Sequence, residues 1–95
     1  MNILVVDDEH DVKVLFEQKF RKEIRSGEMN FNFAYSGNEA LDYLNEHEQE
    51  AVLMLSDINM PGMSGLDLLK IIKEDPPVPP PIVMMITAYG DQYNR

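Results

Sequence analysis

Two apolar runs in this chain end abruptly in acid. Val52-Leu53-Met54-Leu55-Ser56 stops at Asp57, and Asn2-Ile3-Leu4-Val5-Val6 stops at Asp7 and Asp8. A carboxylate at the end of a buried strand sits at the rim of a sheet, where ligands bind in open α/β folds. If the two strands are neighbours, Asp7, Asp8 and Asp57 converge on one crevice. Carboxylates that close repel, raise one another's apparent pKa and call for a cation. Mg2+ suits such a set, because it takes hard oxygen ligands in an octahedral shell and keeps waters and a phosphate oxygen there. The chain has no cysteine, and neither His10 nor His47 ends a strand, which argues against a soft-metal site. An aspartate beside Mg2+ can attack a phosphoryl group and become an aspartyl phosphate. Thr87, after the run Ile82 to Ile86, offers a hydroxyl at the same rim.

The elements between these runs must bring the acids together. The first run is continuously apolar, as expected of a strand covered on both faces. From Asp11 to Ile24 the spacing of Val12, Leu15, Phe16, Phe20 and Ile24 predicts one helix with a single inward stripe, stopped by Ser26-Gly27. Phe31 to Tyr35 alternates and reads as a second strand at a sheet edge. Ser36-Gly37-Asn38-Glu39 reads as a capping box, opening a helix to about His47 with Ala40, Leu41 and Leu44 inward. After the third strand, Ser64 opens a helix whose expected inner side is Leu66, Leu69 and Ile72. Pro76 to Pro81 ends it and reads as a stiff connector, although its Pro-x-x-Pro spacing also fits an extended ligand for aromatic grooves. Met54, Met84 and Met85 are expected in the core, and His10 and His47 in solvent with no role.

Strand and helix alternate throughout, the pattern of βαβ units on a parallel sheet. Right-handed crossovers leave few topologies. The first strand is expected at the centre, with its end beside that of the third strand at a topological switch point.

With 95 residues, 44% hydrophobic and 26% charged, the chain suits one small globular domain. The formal net charge of -9 argues against direct contact with nucleic-acid phosphates. No apolar run is long enough to span a bilayer, and no basic region precedes an apolar N-terminal core. A soluble, cytoplasmic module without membrane contact is expected.

Taken alone, Asp7-Asp8 is as readable as a helix-capping pair, Asp57 as the start of a Pro-Gly turn, and Thr87 as a β-branched strand end. Taken together and in order, they resemble the receiver domain of bacterial two-component response regulators. The resemblance rests on Asp7-Asp8, on Asp57-Ile58-Asn59-Met60-Pro61-Gly62-Met63-Ser64-Gly65 and on Thr87-Ala88, and it runs from Met1 to Arg95. It implies a flavodoxin-like doubly wound α/β fold. It implies that Asp57 accepts phosphoryl from a sensor histidine kinase or phosphotransfer protein. It further implies that Asp8, with Asp7, and the backbone carbonyl of Asn59 help hold Mg2+, and that Thr87, followed by Ala88, turns toward the phosphoryl group. Residues 1–95 would be one receiver domain, incomplete at its C-terminus: strand 5 with its Lys, the aromatic switch partner and helix 5 are not in the chain. An output domain or target is implied without being named. Asn59 has two further readings, a residue that favours the turn or one that positions an attacking water.

Two other functions compete. One is an aspartyl-phosphate phosphatase resembling the haloacid dehalogenase family, which needs an acid where this chain has Asn59. The other is an interaction module that is never phosphorylated and associates through the exposed edge of strand Ile82 to Ile86. The first reading predicts a signalling phosphoacceptor, not an enzyme, with at most self-phosphorylation and self-dephosphorylation.

Overall fold

The continuous hydrophobicity of the first run is explained by its position. In the computed structural model, residues 1–86 are described. Their elements are β1 (Asn2–Val6), α1 (Asp11–Lys19), α2 (Arg21–Ser26), β2 (Asn30–Ala34), α3 (Gly37–Glu46), β3 (Val52–Asp57), α4 (Gly65–Glu74) and β4 (Ile82–Ile86). The strands form one sheet in the order β2-β1-β3-β4, with every neighbouring pair parallel. β1 therefore has a partner on both sides and a core on both faces, and β2 lies at an edge, as expected.

One face of the sheet packs Leu4, Val6, Val52 and Met54 against Ala40 and Leu44 of α3 and Leu68 and Ile72 of α4. On the other face, Ile3 and Val5 pack against Val12 of α1, flanked by Phe16, Phe31, Phe33, Leu53 and Leu55. The sheet is thus wound on both sides, as the alternating pattern requires.

Four expectations need correction. The single helix over 11–24 is two, because the backbone departs from helical geometry at Phe20 (φ -111°, ψ 31°). The aromatic rings account for the break: Phe20 lies 6.0 Å from Phe16 and 5.4 Å from Phe31, centroid to centroid, on the way to β2. Leu15, expected in the inward stripe, is exposed; Val12 and Phe16 carry the contact instead. In α4 the buried stripe is Gly65, Leu68 and Ile72, and Leu66 is exposed. Met84 is exposed as well, whereas Met54 is fully buried.

The helix ends obey their local chemistry. Gly27 ends α2 in the left-handed region at φ 85°, a conformation glycine adopts without strain. Ser64 and Asp67 form a reciprocal capping box on α4. At α3 the Ser36 hydroxyl accepts from the Glu39 amide, while the Glu39 carboxylate accepts from Tyr35, one residue before the cap.

The stripe correction is testable by urea unfolding. Leu68, 0% exposed, should lose about 2–5 kcal/mol on truncation to Ala, whereas Leu66→Ala at 56% exposure should stay within about 0.5 kcal/mol. Equal losses at the two positions would contradict this packing.

Candidate phosphoryl and metal site

The acids meet because of strand register. Val6 lies opposite Ser56 across the β1–β3 pair, so Asp7 and Asp57 leave the sheet at the same level. On the other side of β1, Val6 lies opposite Ala34, and the Asp7 amide donates to the Ala34 carbonyl at 3.0 Å. That bond extends the ladder by one residue and fixes the Asp7 backbone. The Asp7 side chain is buried, and its Oδ1 accepts from the Glu9 amide at 2.9 Å. This tight turn carries the chain from strand to helix and places Asp8 at the rim. One carboxylate oxygen from each of Asp7, Asp8 and Asp57 lies within 4.8 Å of the other two.

Asp57 is held from behind. The buried Ser56 hydroxyl donates to the Asp57 carbonyl at 3.0 Å. The Ile58 amide donates to Ile86 of β4 at 3.3 Å, and the Ile58 carbonyl accepts from the Gly65 amide at 2.8 Å. Gly65 presses on this backbone so tightly that a Cβ there would collide with the Asp57 carbonyl. Between them, Gly62 takes φ 76°, which lets the Pro61-Gly62 turn reverse the chain. The N-terminus of α4 is thereby docked against the strand end that carries Asp57.

The Asp57 carboxyl titrates above the ordinary carboxylate range. Partial burial is the largest cause and the negative charge of Asp7 the next; the amides of Asn59 and Ile58 pull the other way, and Asp8 adds a smaller upward push. The crevice is an electrostatically unfavourable assembly of like charges, which a bound cation would relieve. Its ligand atoms are all hard carboxylate oxygens, the donor type that Mg2+ prefers.

The structure thus brings Asp7, Asp8 and Asp57 together. Asn59 joins them through its backbone amide, which bonds the Asp57 carboxylate, while its side chain is exposed. Thr87 and Ala88 lie outside the described residues. The capping role considered for Asp8 is not seen: His10 is the N-cap of α1, with no side-chain cap bond. Sequence reasoning missed two features. His10 is exposed, as expected, but the stacking of its ring on Tyr35 went unread. The need for glycine at position 65 also went unread. Both arise from contacts between segments distant in sequence; their only local signal is position, directly after strand ends or at the start of a helix.

A parallel sheet wound on both faces, with an acid cluster at its switch point, defines the CheY-like class of phosphoryl-accepting switches. The family model of the response regulator receiver domain matches residues 3–95, and the chain belongs to that family. Accepting a phosphoryl group is the family's general function. The chain is 40% identical over 90 residues to the DNA-binding transcriptional regulator NtrC of Proteus hauseri, covering 95% of this chain and 17% of that protein. It is 36% identical over 90 residues to sporulation initiation phosphotransferase F of Bacillus subtilis, covering 94% of this chain and 65% of that one. The chain therefore spans less than two thirds of the length of either relative. Among solved structures, the N-terminal domain of a response regulator receiver protein from Methanoculleus marisnigri superposes with a TM-score of 0.73 at 36% identity, over 92% of this chain and 66% of that one. TrrA of Thermotoga maritima, solved in complex with Mg2+-BeF, superposes with a TM-score of 0.71 at 30% identity, over 98% and 73%.

The raised Asp57 titration carries a sign. The folded state holds the Asp57 proton more tightly than the unfolded chain, so metal-free stability falls as pH rises from about 4 through the raised value. In chelator, Asp57→Asn should therefore be more stable than the wild type at pH 7. The gap should close on acidification toward pH 4, as followed by urea titration. A gap that widens on acidification would contradict the charge assignment.

Proposed function

We propose that Asp57 is the phosphoacceptor and that Asp7, Asp8 and Asp57, with the Asn59 backbone carbonyl, hold Mg2+. The observation that carries this is the convergence of the three carboxylates at the end of β1 and β3. When bound, the metal neutralises the carboxylates and the charge developing on the phosphoryl oxygens. An ionised Asp57 oxygen attacks phosphorus, and the bond from phosphorus to the donor breaks. Its electron pair leaves on the donor nitrogen or oxygen, which takes up a proton. The Ile58 and Asn59 amides favour the ionised form against the pull of burial, and the docked α4 terminus fixes the direction of attack. Thr87 would supply its hydroxyl to the phosphoryl group, with Ala88 beside it.

The donor in this reading is a sensor histidine kinase or phosphotransfer protein, and the consequence is altered binding to an output domain or target. The chain is read as a signalling phosphoacceptor without turnover beyond its own phosphorylation and dephosphorylation. No helix among the described residues is long and apolar enough to cross a membrane, and the proposed setting is the cytoplasm. Asn59 in place of an acid argues against the phosphatase reading.

Intact-mass spectrometry after incubation with acetyl phosphate and Mg2+ should show one added phosphoryl group, lost on adding chelator beforehand and absent from Asp57→Ala. An adduct that survives Asp57→Ala would contradict the assignment.

A second reading concerns association. On one face, Leu53 and Leu55 of β3 lie opposite Ile82 and Met84 of β4. Ile82 is 69% exposed, Met84 55% and Leu15 60%, and among the described residues β4 is hydrogen-bonded on one side only. Apolar, unpaired strand edges invite pairing with another chain. Light scattering should show concentration-dependent association that Met84→Lys weakens; a wild-type monomer at all concentrations would remove this reading.

A further inference from the structure

His10 stands two residues beyond Asp8 and opens α1, yet its side chain makes no cap bond. Its ring lies flat on Tyr35 instead, 3.9 Å between centroids and 10° from parallel. Tyr35 is itself fixed. It follows Ala34, whose carbonyl holds the Asp7 amide, and its own amide donates to Glu39 at 2.9 Å. Ser36, next in sequence, caps α3. The stack therefore joins the β1–α1 and β2–α3 connections on the same sheet rim as the acids. Tyr35 is half-buried, whereas His10 remains exposed. A flat ring backed on one face and exposed as a whole has room for a second flat ring.

That geometry has a consequence for the approach of a donor. A phosphohistidine carries a planar imidazole directly behind its phosphorus. With the phosphorus at the acids, that ring must lie at the rim. Aromatic rings associate in offset-stacked or edge-on arrangements, and a ring so held brings its substituent to the nucleophile in a restricted set of orientations. We propose that the His10–Tyr35 stack is a positioning platform for the imidazole of a phosphohistidine donor, distinguishing histidine-borne phosphoryl from small ring-free donors. His10 makes the contact and Tyr35 holds His10. The proposal rests on Asp57 being the phosphoacceptor.

Two small donors isolate the ring. Phosphoramidate and monophosphoimidazole both deliver phosphoryl from nitrogen, and only the second carries an imidazole. With Mg2+ present, the rate ratio of phosphoimidazole to phosphoramidate should fall about five- to tenfold in His10→Ala and in Tyr35→Ala. His10→Phe, which keeps a flat ring, should restore it. The loss should appear in the maximal rate with phosphoimidazole as well as in its saturation, because the ring both binds the imidazole and fixes its orientation. An unchanged ratio, or a His10→Phe variant as impaired as His10→Ala, would overturn the platform while leaving Asp57 as acceptor. A wild-type protein that takes phosphoryl from neither donor would overturn both.

Discussion

Everything at the rim depends on one register. β1 and β3 pair in parallel with Val6 opposite Ser56, and each strand meets acid at the next residue. A one-residue slip would turn Leu4 and Met54, both fully buried, toward the wrong faces. The hydrophobic core thus fixes the relative height of Asp7 and Asp57 without any attraction between them. Their mutual repulsion is tolerated because the packing beneath them is far larger than the electrostatic penalty at a partly solvated rim. A site held by apolar register can be poised for a cation and still fold without it.

The surrounding contacts refine this placement. β2 supplies the Ala34 carbonyl that holds Asp7, and β4 supplies the Ile86 carbonyl that holds Ile58. α4 is drawn against Asp57 at Gly65, where no side chain intervenes. Each strand of the sheet thereby touches the site through its backbone. The Asp7 carboxylate is itself anchored by the Glu9 amide, and the amides of Ile58 and Asn59 temper a charge on Asp57 that burial and Asp7 disfavour.

Much of this was readable from residue order. Continuous apolar runs ending in acid gave β1, β3 and the crevice, because a buried strand shows its burial on both faces in composition. The helix faces were harder. In α4 the set Leu66-Leu69-Ile72 steps by three and three and the set Gly65-Leu68-Ile72 by three and four; the second lies on the narrower arc, but its glycine carries no apolar signal. The approach of Gly65 to the Asp57 backbone decides between them, and that is a tertiary contact. Leu15 and Phe20 misled for a related reason: the rings of Phe16, Phe31 and Phe33 draw the chain toward β2 and break the stripe. The His10–Tyr35 stack joins residues whose proximity follows only from β1 and β2 being neighbours.

The central claim is that a single cation is shared by acids from two strands. Paramagnetic broadening of amide resonances by substoichiometric Mn2+, competed by Mg2+, tests it most directly. The account predicts that the resonances of Asp7, Asp8 and Asp57 broaden together at the lowest concentrations and recover together. Broadening that begins among the exposed acids at Glu46, Glu48 and Glu50, or that reaches Asp57 without Asp8, would contradict it.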